Sequence, residues 1–108
     1  KRNLNEKKFL ANKKIIWSTR SSQELKAILE YFNQRNESNR YGLKLLAEIQ
    51  YVTTILSKNE FIGRLTSNRI TRVIPMKEYL IFYEVFEDHI QIVSFWDNRQ
   101  SSVRRIKI

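Results

Sequence analysis

Four arginines in the second half of the chain have the type and spacing that could act on a phosphate: Arg64, Arg69, Arg72 and Arg99. Guanidinium groups stabilise the negative charge of a phosphate and of the transition state formed on it. We therefore expect these arginines to form an anion site on one edge of a sheet. Solvated strand ends or salt bridges with nearby carboxylates remain an open alternative. Those carboxylates are Glu60, Glu78 and Asp97.

Ribonuclease chemistry would need more than cations, because attack by a 2′-hydroxyl requires a general base and the leaving oxygen requires an acid. His89 is the only histidine, and we place it in the turn between the last two strands, away from Arg72 and Arg99. We interpret it as a surface turn residue. The last strand ends in Trp96-Asp97-Asn98-Arg99, which offers no evident base. If the chain is a nuclease, its catalytic residues would be Arg64, Arg72 and Arg99.

The composition excludes several kinds of site. Without cysteine the chain has no disulfides and no thiolate metal ligands, and one histidine cannot build a histidine-rich zinc site. We predict no metal and no cofactor. A hydrophobic fraction of 42% indicates a folded protein, and no apolar run reaches the ~20 residues that cross a bilayer. We therefore expect a soluble, cytoplasmic protein that does not bind membranes.

The net charge of +9 is concentrated in three basic blocks, at residues 1–14, 64–72 and 99–107. Such blocks attract polyanions or acidic proteins over long distances, although a basic surface can also serve solubility alone. Residues 77–97 are mainly acidic. The side chains that we predict to contact a target or nucleic acid are Arg64, Arg69, Arg72, Trp96, Arg99, Arg104 and Arg105.

Aromatic side chains could stack nucleobases if they were exposed on a basic sheet, but aromatics at strand spacing more often form a core. We expect Trp96, beside Arg99, to be the one that is partly exposed. Tyr31 and Tyr51 lie on predicted helices, where we expect them to pack. The aromatics assigned to the core are Tyr79, Phe82, Tyr83, Phe86 and Phe95.

The elements that must position these residues begin with a strand at 13–17, a short β-branched and aromatic run. Ser18 and Ser21 both offer helix N-caps, and Ser21 with Glu24 has the spacing of a capping box. An apolar stripe at helical spacing follows, formed by Leu25, Ile28, Leu29 and Phe32. After a turn at 33–39, a second helix is predicted over about 39–57. Its buried face is Tyr41, Leu45, Ile49, Val52, Ile55 and Leu56.

The rear half predicts three strands, at residues 69–74, 78–86 and 89–96. Gly63 bends the connection at 58–68 that precedes them. Pro75 ends the first strand because it offers no amide to a ladder. A tight turn at Glu87-Asp88 joins the other two. The fold class is therefore α+β, with an N-terminal strand, a helical hairpin and a three-stranded antiparallel meander.

The domain organisation follows from the length of 108 residues, which suits one hydrophobic core. Residues 1–12 are polar and without periodicity, and we predict a flexible basic arm or the remnant of an added tag. Residues 13–108 are predicted to form a single domain.

Several ordered motifs carry a resemblance to a known family. The front half contains Trp17-Ser18-x-x-Ser21, Glu24-Leu25, Ile28-Leu29-Glu30-Tyr31, Tyr41, Leu45-Leu46, Ile49 and Leu56. The rear half contains Gly63, Ile70-x-Arg72-Val73, Tyr79-x-Ile81-x-Tyr83-Glu84-Val85, Ile90-x-Ile92 and Trp96-Asp97-x-Arg99. From residue 13 to about residue 100, this order resembles the RelE/ParE superfamily of toxins.

The resemblance implies a small basic toxin of a type II toxin–antitoxin system, neutralised by a cognate antitoxin encoded beside it. ParE-like members of the superfamily poison DNA gyrase, whereas RelE-like members cleave mRNA in the ribosome. RelE-like members often place a His or Tyr near the end of the last strand, and Trp96-Asp97-Asn98-Arg99 has neither. The ParE-like branch is therefore favoured, as a non-enzymatic inhibitor that binds a large target.

Two alternatives stay open at this point. One is a ribosome-dependent mRNA endonuclease of the RelE type, and the other is a non-toxic, basic nucleic-acid-binding module whose affinity would fall steeply with salt. For a toxin, we expect the antitoxin to contribute an acidic segment that orders on binding. That segment would cover the edge of the sheet or the helical hairpin.

Overall fold

Two helices and five strands make up residues 12–99, the part of the chain that the computed structural model describes. They are β1 (Lys14–Trp17), α1 (Thr19–Asn36), α2 (Arg40–Lys58), β2 (Arg64–Leu65), β3 (Arg72–Met76), β4 (Tyr79–Val85) and β5 (His89–Asp97). The predicted α+β class, the helical hairpin and the antiparallel meander are confirmed. The short strand β2 lies inside the predicted connection. The predicted arm, apart from Asn12, and the tail that contains Arg104 and Arg105 lie outside the described residues.

The sheet has the strand order β1-β5-β4-β3-β2, with β1 parallel to β5 and every other pair antiparallel. The first strand therefore lies beside the last one. Because β1 pairs only with residues 89–92, the outer edge of β5 beyond Ile92 has no partner strand in the described part of the chain. A bulge at Val93 shifts the register there, so that Ser94 lies opposite Phe82 and Ile92 opposite Tyr83.

The first strand of the meander begins and ends later than predicted. It starts at Arg72, because Arg69 lies in a turn with a left-handed φ of 66°. It continues through Pro75, which lies opposite Leu80, so the prediction that this proline ends the strand is wrong. The two residues of β2 pair only with Arg72 and Val73. Pro75 thus lies where the outer edge of β3 has no described partner strand, and its missing amide leaves no ladder bond unmade.

The first helix is capped by Ser18, whose side chain accepts a hydrogen bond of 3.0 Å from the amide of Ser21. The predicted Ser21–Glu24 capping box is wrong, because both side chains bind β5 instead. The Ser21 hydroxyl donates to the Ile92 carbonyl at 2.7 Å, and the Glu24 carboxylate accepts from the Phe95 amide at 2.9 Å. These bonds tie the start of α1 to the open edge of β5.

The helical hairpin covers one face of the sheet through the apolar stripes that the sequence predicted. Leu25, Ile28 and Leu29 of α1 pack into a cluster with core residues of α2 and the strands. Those core residues are Leu45, Ile49, Met76, Tyr79, Ile81, Ile92 and Phe95. The helix α1 extends to Asn36 and is capped by Glu37, so only the last part of the predicted turn at 33–39 is a turn.

The opposite face of the sheet holds a second cluster of Val73, Leu80, Phe82 and Trp96. Trp96 is only 7% exposed, so the expectation that it is partly exposed is wrong. Tyr31 and Tyr51 are 57% and 70% exposed, so the expectation that they pack is wrong as well. The predicted core aromatics are buried with the exception of Phe86, which is exposed.

Candidate functional site

The register of the sheet separates the four predicted arginines. Arg72 lies opposite Tyr83 of β4, whereas Asp97, two residues before Arg99, lies opposite Tyr79. Tyr79 and Tyr83 are about 13 Å apart along β4, since a strand rises ~3.3 Å per residue. The two arginines therefore belong to different ends of the sheet. Arg64, Arg69 and Arg72 lie together in the β2–β3 hairpin, while Arg99 follows β5.

Arg72 holds the connection that precedes β2. One amino nitrogen of its guanidinium, Nη1, donates to the Gly63 carbonyl at 2.6 Å and to the Phe61 carbonyl at 3.3 Å. The guanidinium carbon lies 4.9 Å from the centroid of the Phe61 ring, a cation–π distance. One amino group and one face of this cation are therefore used in shaping the loop.

Tyr83 supports the same connection from the buried side of the sheet. Its hydroxyl accepts a bond of 2.8 Å from the Gly63 amide and donates one of 2.9 Å to the Glu60 carbonyl. Burial raises the pKa of the Tyr83 phenol, against the opposing effects of the Gly63 hydrogen bond and the Arg72 charge. The predicted bend at Gly63 is present, but its φ is not positive. A Cβ at Gly63 would lie 2.7 Å from a ring carbon of Tyr83, so close approach requires the glycine.

The turn between β2 and β3 is organised by the side chain of Asn68. Its Oδ1 accepts from the amides of Ile70 and Thr71, each at 2.8 Å, and its Nδ2 donates to the Thr71 hydroxyl at 2.9 Å. The Thr71 hydroxyl in turn donates to the carboxylate of Glu84 on β4 at 3.0 Å. The Thr66 amide closes the turn by donating to the Thr71 carbonyl. The turn is therefore fixed by polar groups on its inner side.

We call residues 61–72 the arginine loop. Its apolar side chains point outward: Phe61 is 61% exposed, Ile70 is 66% exposed, and Ile62 and Leu65 are exposed too. Thr66 and Thr71, which are polar, are buried. The loop contains no acidic residue, and within residues 12–99 Arg64 and Arg69 form no ion pair. It therefore presents apolar groups and unpaired cations on a fixed backbone.

Arg99 forms a two-point ion pair with Asp97, with Nε–Oδ1 and Nη2–Oδ2 distances of 2.8 Å. Its guanidinium carbon also lies 5.7 Å from the centroid of the Tyr79 ring. The hydrogen bonds from Arg99 lower the pKa of Asp97, and the same pair raises the pKa of Arg99. Burial, reinforced by a 2.7 Å hydrogen bond with Tyr41, raises the pKa of the Tyr79 phenol. The salt-bridge alternative is therefore confirmed for Arg99.

His89 is the first residue of β5, at the end opposite to Arg99. Its Nδ1 lies 2.8 Å from the Asp88 carboxylate, and its ring stacks on Phe86 with centroids 4.7 Å apart. The hydrogen bond from His89 lowers the pKa of Asp88. Arg72 lies nearer to the His89 end than the sequence predicted, because it pairs with Tyr83 in the second half of β4. Its guanidinium nonetheless binds the Phe61 and Gly63 carbonyls.

A groove of about 570 Å³ runs between α1 and the open edge of β5. Its charged lining residues are Arg20, Glu24 and Asp97. The uncharged ones come from α1 and β5: Ala27, Ile28, Tyr31, Phe32, Phe95 and Trp96. The carboxylate of Glu24 bonds Arg20, the Ser94 hydroxyl and the Phe95 amide at once. The groove therefore combines apolar walls with an exposed arginine at its rim, and a peptide segment could lie in it.

The described residues contain neither a metal-binding cluster nor a membrane-spanning helix. Residues 12–99 contain no group of three or more His, Cys, Asp or Glu side chains placed to hold a metal ion. Nor do those residues include a helix that is long and apolar enough to span a membrane.

Sequence reasoning overlooked Glu24 as a ligand of β5 and the outward-facing Phe61, Ile62 and Ile70. The second group had left a trace in the sequence. Phe and Ile side chains occur in a connection that also contains Gly, Asn, Ser and Arg. Such connections run over the protein surface and offer few buried positions to apolar side chains. The partners of Glu24 lie about 70 residues away in the chain, so no local pattern could indicate them.

Comparisons with known proteins agree with this architecture. A family model described as the ParE toxin of the type II toxin–antitoxin system parDE matches residues 15–101. A solved structure titled as the chromosomal ParDE TA system from P. aeruginosa superposes with a TM-score of 0.67. It is 18% identical, over 79% of this chain and 95% of that one, which shows a shared fold. Among curated proteins, no sequence matches this chain significantly.

Proposed function

Because the chain belongs to the ParE toxin family of type II toxin–antitoxin systems, we propose that it inhibits growth by binding DNA gyrase in the cytoplasm until a cognate antitoxin neutralises it. The observation that carries this proposal is the family match over residues 15–101, which spans all the strands and helices described above except Lys14 at the start of β1.

The inhibition is by binding and not by catalysis. Chemistry on RNA would need cations that are free to meet a phosphate and a base close to them. Of the three arginines that a nuclease would use, Arg72 is bound to two backbone carbonyls and Arg99 to a carboxylate at the other end of the sheet. Only Arg64 forms no ion pair within residues 12–99, and one free cation without a base does not make such a site. His89, the one imidazole of the sequence, stacks on Phe86 away from Arg99. These contacts support a protein that acts through its surface.

The antitoxin binds the groove between α1 and β5. A partly apolar segment suits this site, because Phe32 and Phe95 offer apolar walls. Arg20 at the rim is paired with Glu24, so acidic residues of the segment would be attracted by the net charge of +9 and not by the groove itself. Such a segment would become ordered as it binds, and its loss of conformational entropy would be offset by the apolar area it covers.

The test combines a growth assay with two biochemical readouts. We expect induction of the toxin to arrest growth, and co-expression of the antitoxin to restore it. We expect the purified toxin to inhibit supercoiling by gyrase, and total RNA from the induced cells to carry no new cuts. Transcripts cut on translating ribosomes, with gyrase unaffected, would instead establish the mRNA endonuclease.

A double variant separates the two mechanisms further. If the chain cuts RNA, replacing both Arg72 and Arg99 by Ala should abolish the cuts in a protein that circular dichroism shows to be folded. If it binds gyrase, cuts are absent before and after the change. A protein that leaves growth untouched but binds nucleic acid, with an affinity that falls steeply with salt, would be the non-toxic binding module.

A further inference from the structure

We propose that the arginine loop, residues 61–72, is the surface through which the toxin binds its target, DNA gyrase. Phe61 and Ile70 would insert into an apolar recess with an acidic rim on that protein. The inference rests on the proposed function, because it assigns the target-binding role within it. Three properties of the loop carry the proposal: its fixed backbone, its chemistry, and its separation from the grooves of the molecule.

The backbone of the loop is fixed before any partner arrives. Tyr83 and Arg72 hold residues 60–63 through four hydrogen bonds to backbone groups. The Asn68 side chain holds the turn, and the Thr71 hydroxyl anchors it to Glu84 on β4. Arg69 is kept in the left-handed region, a conformation that a non-glycine residue adopts at a cost and that is found enriched at functional sites. A loop fixed in this way loses little conformational entropy on binding.

The loop has its polar groups inside and its apolar groups outside. Phe61, Ile62, Leu65 and Ile70 are all exposed within this short loop, and apolar side chains gathered in this way mark interaction sites. A few such anchors often supply much of the energy of an interface. Arg64 and Arg69 flank them without an acid in the loop and without an ion pair in the described part of the chain. The complementary surface is therefore apolar at its centre and acidic at its rim.

The shape of the site indicates a folded partner and not the antitoxin segment. In the part of the chain that the structure describes, four grooves beside the helices are lined by residues of α1, α2, β1 and β5 and by residues 76–79, and none of these lining residues belongs to the arginine loop. A segment that orders on binding gains most by filling such grooves. A rigid loop with outward side chains suits a recess in a protein that is already folded, which fits a large target enzyme.

The test uses two sets of variants of the full chain. Ile70→Ser removes an apolar anchor, and the double change Arg64→Glu with Arg69→Glu reverses the charge. The matched controls alter equally exposed residues elsewhere: Tyr51→Ser on α2, and Lys26→Glu with Arg35→Glu on α1. For each protein we would measure the concentration that half-inhibits gyrase supercoiling, the affinity for the antitoxin, and the melting temperature.

We expect each loop variant to weaken gyrase inhibition by ~10-fold or more, the size typical of an interface anchor. Its melting temperature and antitoxin affinity should match those of its own control, and each control should inhibit gyrase much more strongly than the loop variant that it matches. Loop variants that inhibit gyrase as well as the controls do would overturn the inference. So would loop variants that remain folded but lose antitoxin binding instead.

The same variants separate this inference from the function on which it rests. If the unaltered protein arrests growth without inhibiting gyrase, the gyrase proposal fails, and the loop is judged by growth arrest alone. In that case, loop variants that still arrest growth overturn the inference, and variants that no longer do so support it. A chain that does not arrest growth at all overturns both.

Discussion

A single hydroxyl, that of Tyr83, links the arginine loop to the interior of the sheet. It bonds both the Gly63 amide and the Glu60 carbonyl, and its ring is fully buried against Leu56 and Ile90. The loop thus depends on an atom whose removal changes neither charge nor packing volume by much. That makes the Tyr83 side chain a sensitive place to test how the loop is held.

Tyr83→Phe should lower the free energy of unfolding by about 1–3 kcal/mol, because it leaves two backbone groups without their partner in a site that water reaches poorly. Urea denaturation followed by circular dichroism measures the change. The control is Tyr51→Phe, which makes the same chemical change on an exposed ring and should have almost no effect. Equal stability of the two variants would contradict the role of the Tyr83 hydroxyl.

The Asp97–Arg99 pair predicts a specific dependence of stability on pH. Asp97 has a folded-state pKa below its ordinary value of 3.8, so its ionised form stabilises the folded protein. That contribution is complete above 3.8 and is lost as the pH falls through the folded-state pKa. Its size is about 0.5–1 kcal/mol, since Arg99 is half exposed to solvent.

Asp97→Asn should therefore be less stable than the unaltered protein at neutral pH, and the difference should shrink as the pH falls below 3.8. Thermal melts across that range measure it. Glu87→Gln, at an exposed turn position, is the control for the loss of one negative charge. A difference between Asp97→Asn and the unaltered protein that stays constant with pH would show that the ion pair does not stabilise the fold.

At the scale of elements, the two glycines differ in how closely other atoms surround them. Gly63 lies where the connection passes over Tyr83, and a Cβ there would lie 2.7 Å from the ring and 3.0 Å from the Val73 carbonyl. Gly42 lies in the first turn of α2, where a Cβ would meet the ends of the Asn33 and Leu29 side chains at 3.0 and 3.2 Å. Only the first position is crowded by backbone and by a fixed ring.

Gly63→Ala should cost about 1–3 kcal/mol of stability, the usual effect of overpacking, and should displace the loop from Tyr83. Gly42→Ala should change stability by less, because a gain of ~1 kcal/mol in helix propensity offsets the small shifts of two flexible side chains. Urea denaturation of the two variants side by side checks this order. Gly63→Ala as stable as Gly42→Ala would mean that the close approach is not rigid.

Local patterns predicted most elements and missed what depends on distant contacts. The stripe of Leu25, Ile28 and Leu29 and the alternation along β4 follow from periodicities of the chain itself, and both were confirmed. Ser21 and Glu24 have the spacing of a capping box, yet both side chains form hydrogen bonds with β5. That strand lies beside α1 only because of the tertiary structure. The same holds for Trp96, whose face of the sheet is buried although the helices lie on the other one.

The candidate site was predictable in composition but not in arrangement. The arginines of the loop were singled out from charge alone, whereas their separation from Arg99 depends on the register of β3, β4 and β5. The engagement of Arg72 with two carbonyls needed the path of the connection at residues 61–63, which contains no periodic pattern. The sequence shows which residues are charged, but the residue that each charge contacts depends on the fold.

At the scale of the whole molecule, the charge of +9 governs how partners arrive. Long-range attraction raises the rate at which an acidic partner meets a basic protein, and salt screens it, with a Debye length of ~10 Å at 0.1 M. We expect the association rate of toxin and antitoxin to fall by about tenfold or more as ionic strength rises, with a smaller change in the dissociation rate.

Stopped-flow or surface-plasmon measurements at a series of salt concentrations check this expectation. The variant with Lys26→Glu and Arg35→Glu, which lowers the net charge by four, should associate more slowly at low salt and show a shallower dependence. An association rate independent of salt would indicate that the antitoxin is recognised by its apolar side chains alone.

The parallel pairing of β1 with β5 has a consequence for how the protein is made. The strand at Lys14–Trp17 is among the first parts of the described chain to leave the ribosome, and its partner at residues 89–92 is among the last. Until β5 emerges, β1 has no neighbour in the sheet, and α1 lacks the Ile92 and Phe95 groups that Ser21 and Glu24 bind. A contact between such distant segments also forms slowly. A nascent chain therefore cannot complete this sheet until β5 has emerged, however early β1 and the helices are made.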